Sequence, residues 1–162
     1  MSGERHDGHI FIPKALNRGA WGLLVAETVW RRGLPGHPGL FSAIPREVAV
    51  IGVQDTLTAL GDLALSWRQR FTLPLVAITG SCGKTTTKEM IAQVVGRRFR
   101  VLKNHLNLNN LIGLPQTLLE LSGDHEAAVV EMGMNRFGEI LRLTSIASPT
   151  IGVLTNVHPA HT

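Results

Sequence analysis

Tyrosine is absent from this 162-residue chain, and aromatic residues make up only 5% of it. So few rings argue against a stacking platform for single-stranded nucleic acid. Cys82 is the single cysteine, which excludes an intrachain disulfide and a four-cysteine zinc site. No run of about 18 apolar residues occurs, so no membrane-spanning helix is expected. The opening residues, Met1 to His9, are polar and do not read as a signal peptide. Acidic residues are the minority charge: 12 Asp and Glu against 16 Lys and Arg, a formal charge of +4. That balance suits an anionic ligand. The basic residues scatter, whereas a nucleic-acid binder needs a clustered stripe. A soluble cytoplasmic protein with no nucleic-acid partner is the expectation.

What is present is a globular composition, 44% hydrophobic and 17% charged. The chain divides near Leu73-Pro74, giving parts 1–73 and 74–162. In the first part, Ile10 to Arg18 reads as a short helix and Trp21 to Val25 as an apolar strand. Pro35, Pro38 and Pro45 with Gly36 and Gly39 mark Gly33 to Pro45 as a loop. Val48 to Val53 reads as a second buried strand. Asp55 is placed to cap a helix running to about Arg70, with Leu57, Leu60, Leu63, Ala64 and Trp67 on one face. His6-Asp7-Gly8-His9 reads as a polar loop rather than a metal pair.

The second part alternates strands and helices. Leu75 to Thr79 is a continuous apolar run, as expected for a strand covered on both faces. Lys84 to Val95, Pro115 to Leu121 and Phe137 to Ile146 read as helices. Val101-Leu102, Ala127 to Val130 (ended by Glu131) and Thr150 to Leu154 read as strands. This order predicts an α/β fold: a parallel sheet flanked by helices and carrying a phosphate loop, preceded by a small α/β domain.

Gly80-Ser81-Cys82-Gly83-Lys84-Thr85-Thr86 lies between a strand and a helix, the context a phosphate loop requires. Glycines let backbone N–H groups converge on an anion, and the helix start adds unpaired donors and a positive dipole end. Lys84 supplies a charge for the β- and γ-phosphates, and Thr85 a hydroxyl for Mg²⁺. The spacing is G-x-x-G-K-T, shorter than the general phosphate-loop motif, because Ile78 stands where that motif has its first glycine. Cys82 reads as a small turn residue of this loop, not as a nucleophile.

The short loop from Thr79 to Thr86 resembles that of the Mur ligases, ATP-dependent amide ligases of peptidoglycan synthesis. Three further stretches are similar to the type in that family that adds D-alanyl-D-alanine to a UDP-N-acetylmuramoyl-tripeptide (the MurF type). They are Asn107-Leu108-Asn109-Asn110-Leu111-Ile112-Gly113-Leu114-Pro115, then Glu131-Met132-Gly133-Met134-Asn135 with Gly138-Glu139-Ile140, then Thr155-Asn156-Val157 with Ala160-His161. Gly3 to Gly8 and Val53 to Ala64 resemble the later part of that family's N-terminal domain.

The resemblance implies a UDP-substrate-binding domain, in part, at 1–73 and an ATP-binding central domain, in part, at 74–162. It implies ATP and Mg²⁺ as cofactors, and a reaction through an acyl phosphate. By resemblance Lys84, Asn109, Asn110 and His161 belong to the catalytic set. Gly80 to Thr86 and Asn156 hold the nucleotide; Thr85, Glu131 and His161 hold metal. Read from the residues alone, Asn109 and Asn110 serve equally well as substrate contacts or as fixers of a loop backbone. The family protein extends beyond both ends of this chain, so the chain reads as a fragment, inactive in ligation by itself, whose open sheet edges invite self-association. Two alternatives share part of the pattern. One is another amide ligase with the short loop, a different Mur ligase or a folylpolyglutamate synthetase; the other is a non-catalytic nucleotide-binding module.

Overall fold

The computed structural model describes residues 7–42 and 44–158. The chain forms two compact units, Met1–Ala59 and Leu60–Thr162.

In the first unit a 3₁₀ turn, Gly8–Phe11, leads into α1 (Ile12–Asn17). Strand β1 (Gly22–Ala26) pairs in parallel with β2 (Ala49–Val53), with Gly22 opposite Ala49 and Ala26 opposite Val53. Between them α2 (Glu27–Arg32) is a six-residue helix that the sequence reading passed over. It carries an i,i+4 pair, Arg31 donating to Glu27 Oε1 at 2.6–2.9 Å, and Gly33 ends it at positive φ. Strand β2 is half-open, not buried: Ile51 is exposed, because one face of this two-stranded sheet is uncovered within the unit. His9 is buried. Its Nε2 accepts from the Ala26 N–H at 2.9 Å and its Nδ1 meets Asp7 Oδ1 at 2.5 Å. It therefore ties the Gly8–Phe11 turn to the end of β1, instead of standing in a polar loop; His6 lies outside the described residues.

Helix α3 (Thr56–Arg68) begins in the first unit and continues into the second. Asp55 caps it as expected, accepting from the Leu57 N–H at 2.7 Å and the Thr58 N–H at 3.3 Å. Its buried face is Gly61, Ala64 and Arg68, while Leu63 points to solvent. Of the face the spacing predicts, Ala64 is buried and Trp67 packs against the core and donates to Leu121 O at 2.9 Å. Leu63 is one residue off the Gly61–Ala64–Arg68 stripe, which turns it about 100° away from the core. Arg68 lies on that buried stripe. That guanidinium donates to the carbonyls of Phe71 (2.6 Å), Leu73 (3.1 Å) and Ala147 (3.2 Å), which satisfies a charge that burial would otherwise penalise.

The second unit holds a four-stranded parallel sheet in the order β4-β5-β3-β6. Its elements are β3 (Leu75–Thr79), α4 (Lys84–Val95), β4 (Val101–Lys103), α5 (Gly113–Leu119), β5 (Ala127–Glu131), α6 (Glu139–Ala147) and β6 (Ile151–Leu154). Successive side chains of a strand face opposite ways. Thus Leu75, Ala77, Ala128 and Val130 pack with Ala64, Leu114, Leu118, Leu143 and Ile146 on one face. Ile78 and Val129 pack with Ala92 and Ile91 on the other. Burial on both faces is why β5 reads as unbroken apolar sequence. Strands β3 and β5 are neighbours, yet the connections leaving them run to opposite edges of the sheet, towards β4 and β6. Their carboxyl ends therefore open a crevice of the kind in which α/β sheets bind ligands.

Candidate functional site

The loop after β3 is shaped by positive φ at Gly80 (138°) and Gly83 (78°). Gly80 is required twice over, since a Cβ there would stand 2.1 Å from Thr155 Oγ1 and 2.9 Å from Asn156 O. The segment after β6 supports the loop from beneath. Ser81 N–H donates to Asn156 O at 3.1 Å, Cys82 N–H to Asn156 Oδ1 at 3.0 Å, and Thr155 Oγ1 to Cys82 O at 2.7 Å. Asn156 Nδ2 lies 3.1 Å from Cys82 Sγ. Ser81 Oγ both donates to His158 O and accepts from its N–H, each at 2.9 Å. Asn156, expected as a nucleotide contact, thus spends its carboxamide on holding the loop.

Lys84 opens α4 and folds back, its Nζ donating to Gly80 O at 2.7 Å. The first-turn N–H groups around Lys84, Thr85 and Thr86 have no helical acceptor, and they face the loop mouth with the positive end of the α4 dipole. Thr86 itself is exposed. Thr85 Oγ1 donates to Glu131 Oε2 at 2.7 Å, joining the end of β5 to the start of α4. Asn109 Nδ2 donates to the other carboxylate oxygen, Oε1, at 2.8 Å. Glu131 is 3% exposed, and among the described residues no Lys or Arg pairs with it. A buried carboxylate held by neutral donors beside a threonine hydroxyl is an all-oxygen set suited to a hard cation such as Mg²⁺. Thr85 and Glu131 are the residues here that can hold one.

The two neighbouring asparagines do different work. Asn109 reaches Glu131, whereas Asn110 Oδ1 accepts from the N–H groups of Ile112 (3.0 Å) and Gly113 (2.9 Å) and so starts α5. Gly113 admits no side chain, since a Cβ would come within 2.5 Å of the Leu108 backbone. Asn107 to Ile112 thus form a turn that carries Asn109 to Glu131, and Gly113 to Pro115 open α5. Sequence reading passed over Asn104, Lys88 and Thr155, which support the same site. Thr155 stands in a stretch already noted, but a lysine on a helix and an asparagine after a short strand carry no motif. His161 lies outside the described residues.

A cleft of about 380 Å³ opens beside the loop. Gly80, Ser81, Lys84 and Asn156 line its polar side, and Met134 and Leu154 its apolar side. A larger hollow of about 540 Å³, lined by Arg68, Phe71, Pro74 and Thr150, lies at the opposite ends of the strands and holds none of these groups. No helix among the described residues is long and apolar enough to cross a membrane.

Comparison with known proteins returns the same picture. Residues 78–162 match the Mur ligase middle domain. The chain is 47% identical over 161 residues to a UDP-N-acetylmuramoyl-tripeptide–D-alanyl-D-alanine ligase of Synechocystis, and 44% identical over 161 residues to that of Bacillus subtilis. Each alignment covers 99% of this chain and 33% of the relative, so the chain spans about a third of the length of the curated relatives it matches. Among solved structures, MurF from Acinetobacter baumannii superposes with a TM-score of 0.82 at 36% identity, over 99% of this chain and 32% of that one. MurF ligase from Thermotoga maritima in complex with ADP gives a TM-score of 0.79 at 34% identity, over 99% of this chain and 34% of that one. The short phosphate loop, its Thr85–Glu131 link and a matched span of more than half its length agree: this chain belongs to the Mur ligase family.

Proposed function

We propose that this chain forms the phosphate- and metal-binding part of an ATP-dependent amide ligase of peptidoglycan synthesis. The reaction joins D-alanyl-D-alanine to a UDP-N-acetylmuramoyl-tripeptide in the cytoplasm. The observation that carries this reading is the convergence of Lys84, Thr85 and Glu131 at the adjoining ends of β3 and β5. Names of relatives supply the substrates: the curated relatives are tripeptide–D-alanyl-D-alanine ligases, and one solved neighbour holds ADP.

The chemical difficulty is electrostatic. A γ-phosphate and a substrate carboxylate must meet although both are negative. Here the Lys84 ammonium and the first-turn N–H groups of α4 take the phosphates, and Gly80 lets the backbone approach them. Thr85 and Glu131 would hold Mg²⁺, which when bound neutralises charge on the phosphates. The substrate carboxylate then attacks the γ-phosphorus and ADP leaves; the amine of D-alanyl-D-alanine attacks the acyl phosphate, and phosphate leaves with amide formation. Asn109 keeps Glu131 oriented. Asn110 and Asn156 serve by shaping the two loops. His161, by resemblance, belongs to a second metal position. Residues 1–73 would contribute to binding the UDP-linked substrate, and 74–162 to binding ATP.

Calorimetry with Mg²⁺-ATP tests the reading. The chain binds, and Lys84→Ala weakens binding about 10–100-fold, the value of a charge-assisted contact. A folded chain that gives no heat with Mg²⁺-ATP, or a Lys84→Ala variant that binds equally well, overturns it.

A further inference from the structure

The largest fully buried side chain among the described residues is a lysine, Lys88, one turn beyond Lys84 on α4. Burying an ammonium is costly, and a methionine of similar volume would fill the same space without that cost. The hydrogen bonds show what the charge is used for. Lys88 Nζ donates to the backbone carbonyl of Asn104 at 2.8 Å, with Glu89 Oε1 at 3.2 Å on its outer side. Lys103 pairs with the other oxygen of Glu89.

Asn104 is itself fully buried and follows the last residue of β4. Backbone pairing between β4 and β5 stops at Lys103 opposite Val129. Beyond that point the Asn104 side chain takes over. Its Oδ1 accepts from the Glu131 N–H at 2.9 Å, and its Nδ2 donates to Glu131 O at 3.0 Å and to Leu108 O at 2.9 Å. The carboxamide thereby bonds both backbone groups of Glu131 and the turn that carries Asn109, whose side chain grips the Glu131 carboxylate. The chain of contacts runs Lys88, Asn104, Glu131, Thr85, and it returns to α4.

We propose that Lys88 and Asn104 are positioning residues that fix Glu131 for a cation at the Thr85–Glu131 pair. This rests on the reading of Glu131 as the metal-binding carboxylate. Lys88 locks the Asn104 backbone, Asn104 locks that of Glu131, and the carboxylate is held towards Thr85 before any cation arrives. Groups behind a metal ligand set its affinity through orientation.

Two measurements on Lys88→Met test it, with Asn104→Asp as the second variant. In the first, amide hydrogen exchange is followed by NMR. Glu131 exchanges about tenfold faster in the variant, the scale of one lost hydrogen bond, while Val129 is unchanged. In the second, ATP binding is titrated with Mg²⁺ and repeated in EDTA. The Mg²⁺ concentration for half-maximal binding rises about 10–100-fold, and the Mg²⁺-free affinity holds. An unchanged Glu131 amide, or equal losses with and without Mg²⁺, overturns the proposal. If the unmodified chain binds no ATP, the functional reading fails, and the Glu131 amide still decides the role of Lys88. If neither variant folds, exchange in the unmodified chain decides: a Glu131 amide as slow as Val129 supports the proposal, and one at the rate of an open loop overturns it.

Discussion

Asn156 holds Cys82 at both of its backbone groups: its Oδ1 accepts from the Cys82 N–H at 3.0 Å, and its Nδ2 donates to the Cys82 carbonyl at 3.3 Å. An asparagine after β6 is thus the floor of a loop that follows β3, and the loop's shape depends on a residue more than seventy positions away. Replacing it separates shaping from direct contact. Asn156→Ala leaves the Cys82 N–H without its acceptor and weakens Mg²⁺-ATP binding about tenfold, the scale of one lost hydrogen bond. Asn156→Asp keeps the acceptor but sets a carboxylate beside the phosphates and against the Cys82 carbonyl, so it binds more weakly than the alanine variant. Calorimetry on both variants checks this; an alanine variant that binds as tightly as the unmodified chain would show that the loop keeps its shape without the carboxamide.

Glu131→Gln keeps the shape of the side chain and removes its charge. Thr85 and Asn109 both donate to this carboxylate, so one of them meets a second donor in the variant. The expected outcome is a loss of Mg²⁺ dependence: ATP binding in the presence of Mg²⁺ falls about 10–100-fold towards the level seen in EDTA. A titration of Mg²⁺ at fixed ATP reads this directly, and an unaltered Mg²⁺ curve removes Glu131 from the metal site.

Gly80 and Gly83 both have positive φ, but only one is also crowded. A Cβ at Gly80 collides with Thr155 Oγ1 and the Asn156 backbone, whereas a Cβ at Gly83 has nothing within 4 Å. Gly80→Ala therefore combines strain with overpacking and costs about 2–4 kcal/mol, while Gly83→Ala carries backbone strain alone, about 1 kcal/mol. Urea unfolding midpoints of the two variants check the order. Equal midpoints would mean that the β6 segment yields, and that Gly80 is required only for its φ.

The elements of the second unit were legible because two signals coincide there. Leu75 to Thr79 is a short, β-branched apolar run bounded by Pro74 and Gly80, which favours a strand covered on both faces over a helix, and Gly83-Lys84 marks a helix start to the residue. The first unit was harder. Helix α2 has six residues, too few for a period to show, and its only local support is the Glu27–Arg31 pair. In α3, which runs on into the second unit, Leu63 stands next to the buried Ala64 yet is exposed, since one residue turns the side chain about 100° around the helix. At the site, Lys84, Thr85 and Glu131 stood out as charged or hydroxyl groups at strand and helix ends. Asn104 and Lys88 did not. Their importance lies in contacts between segments far apart in sequence, and no pattern within either segment announces them.

Asp55 gives a pH-dependent test of α3. The Leu57 N–H first, and then the Thr58 N–H, hold its carboxyl below the ordinary 3.8. A carboxyl with a depressed folded value stabilises the fold above its unfolded value, and that contribution disappears as pH falls through the folded one. Asp55→Ala removes the cap and costs about 1 kcal/mol at about pH 7. The deficit narrows once the pH drops well below 3.8, where the native aspartate is itself protonated. Asp55→Asn keeps an acceptor for the Leu57 N–H without a titrating group, so its stability relative to the alanine variant stays level over the same range. Other carboxyls held low, Asp7 and Glu89, are common to all three proteins and cancel in the differences. Urea midpoints at about pH 7 and about pH 2 supply the numbers. An alanine deficit that is the same at both would mean that the charge of Asp55 adds nothing to its hydrogen bond.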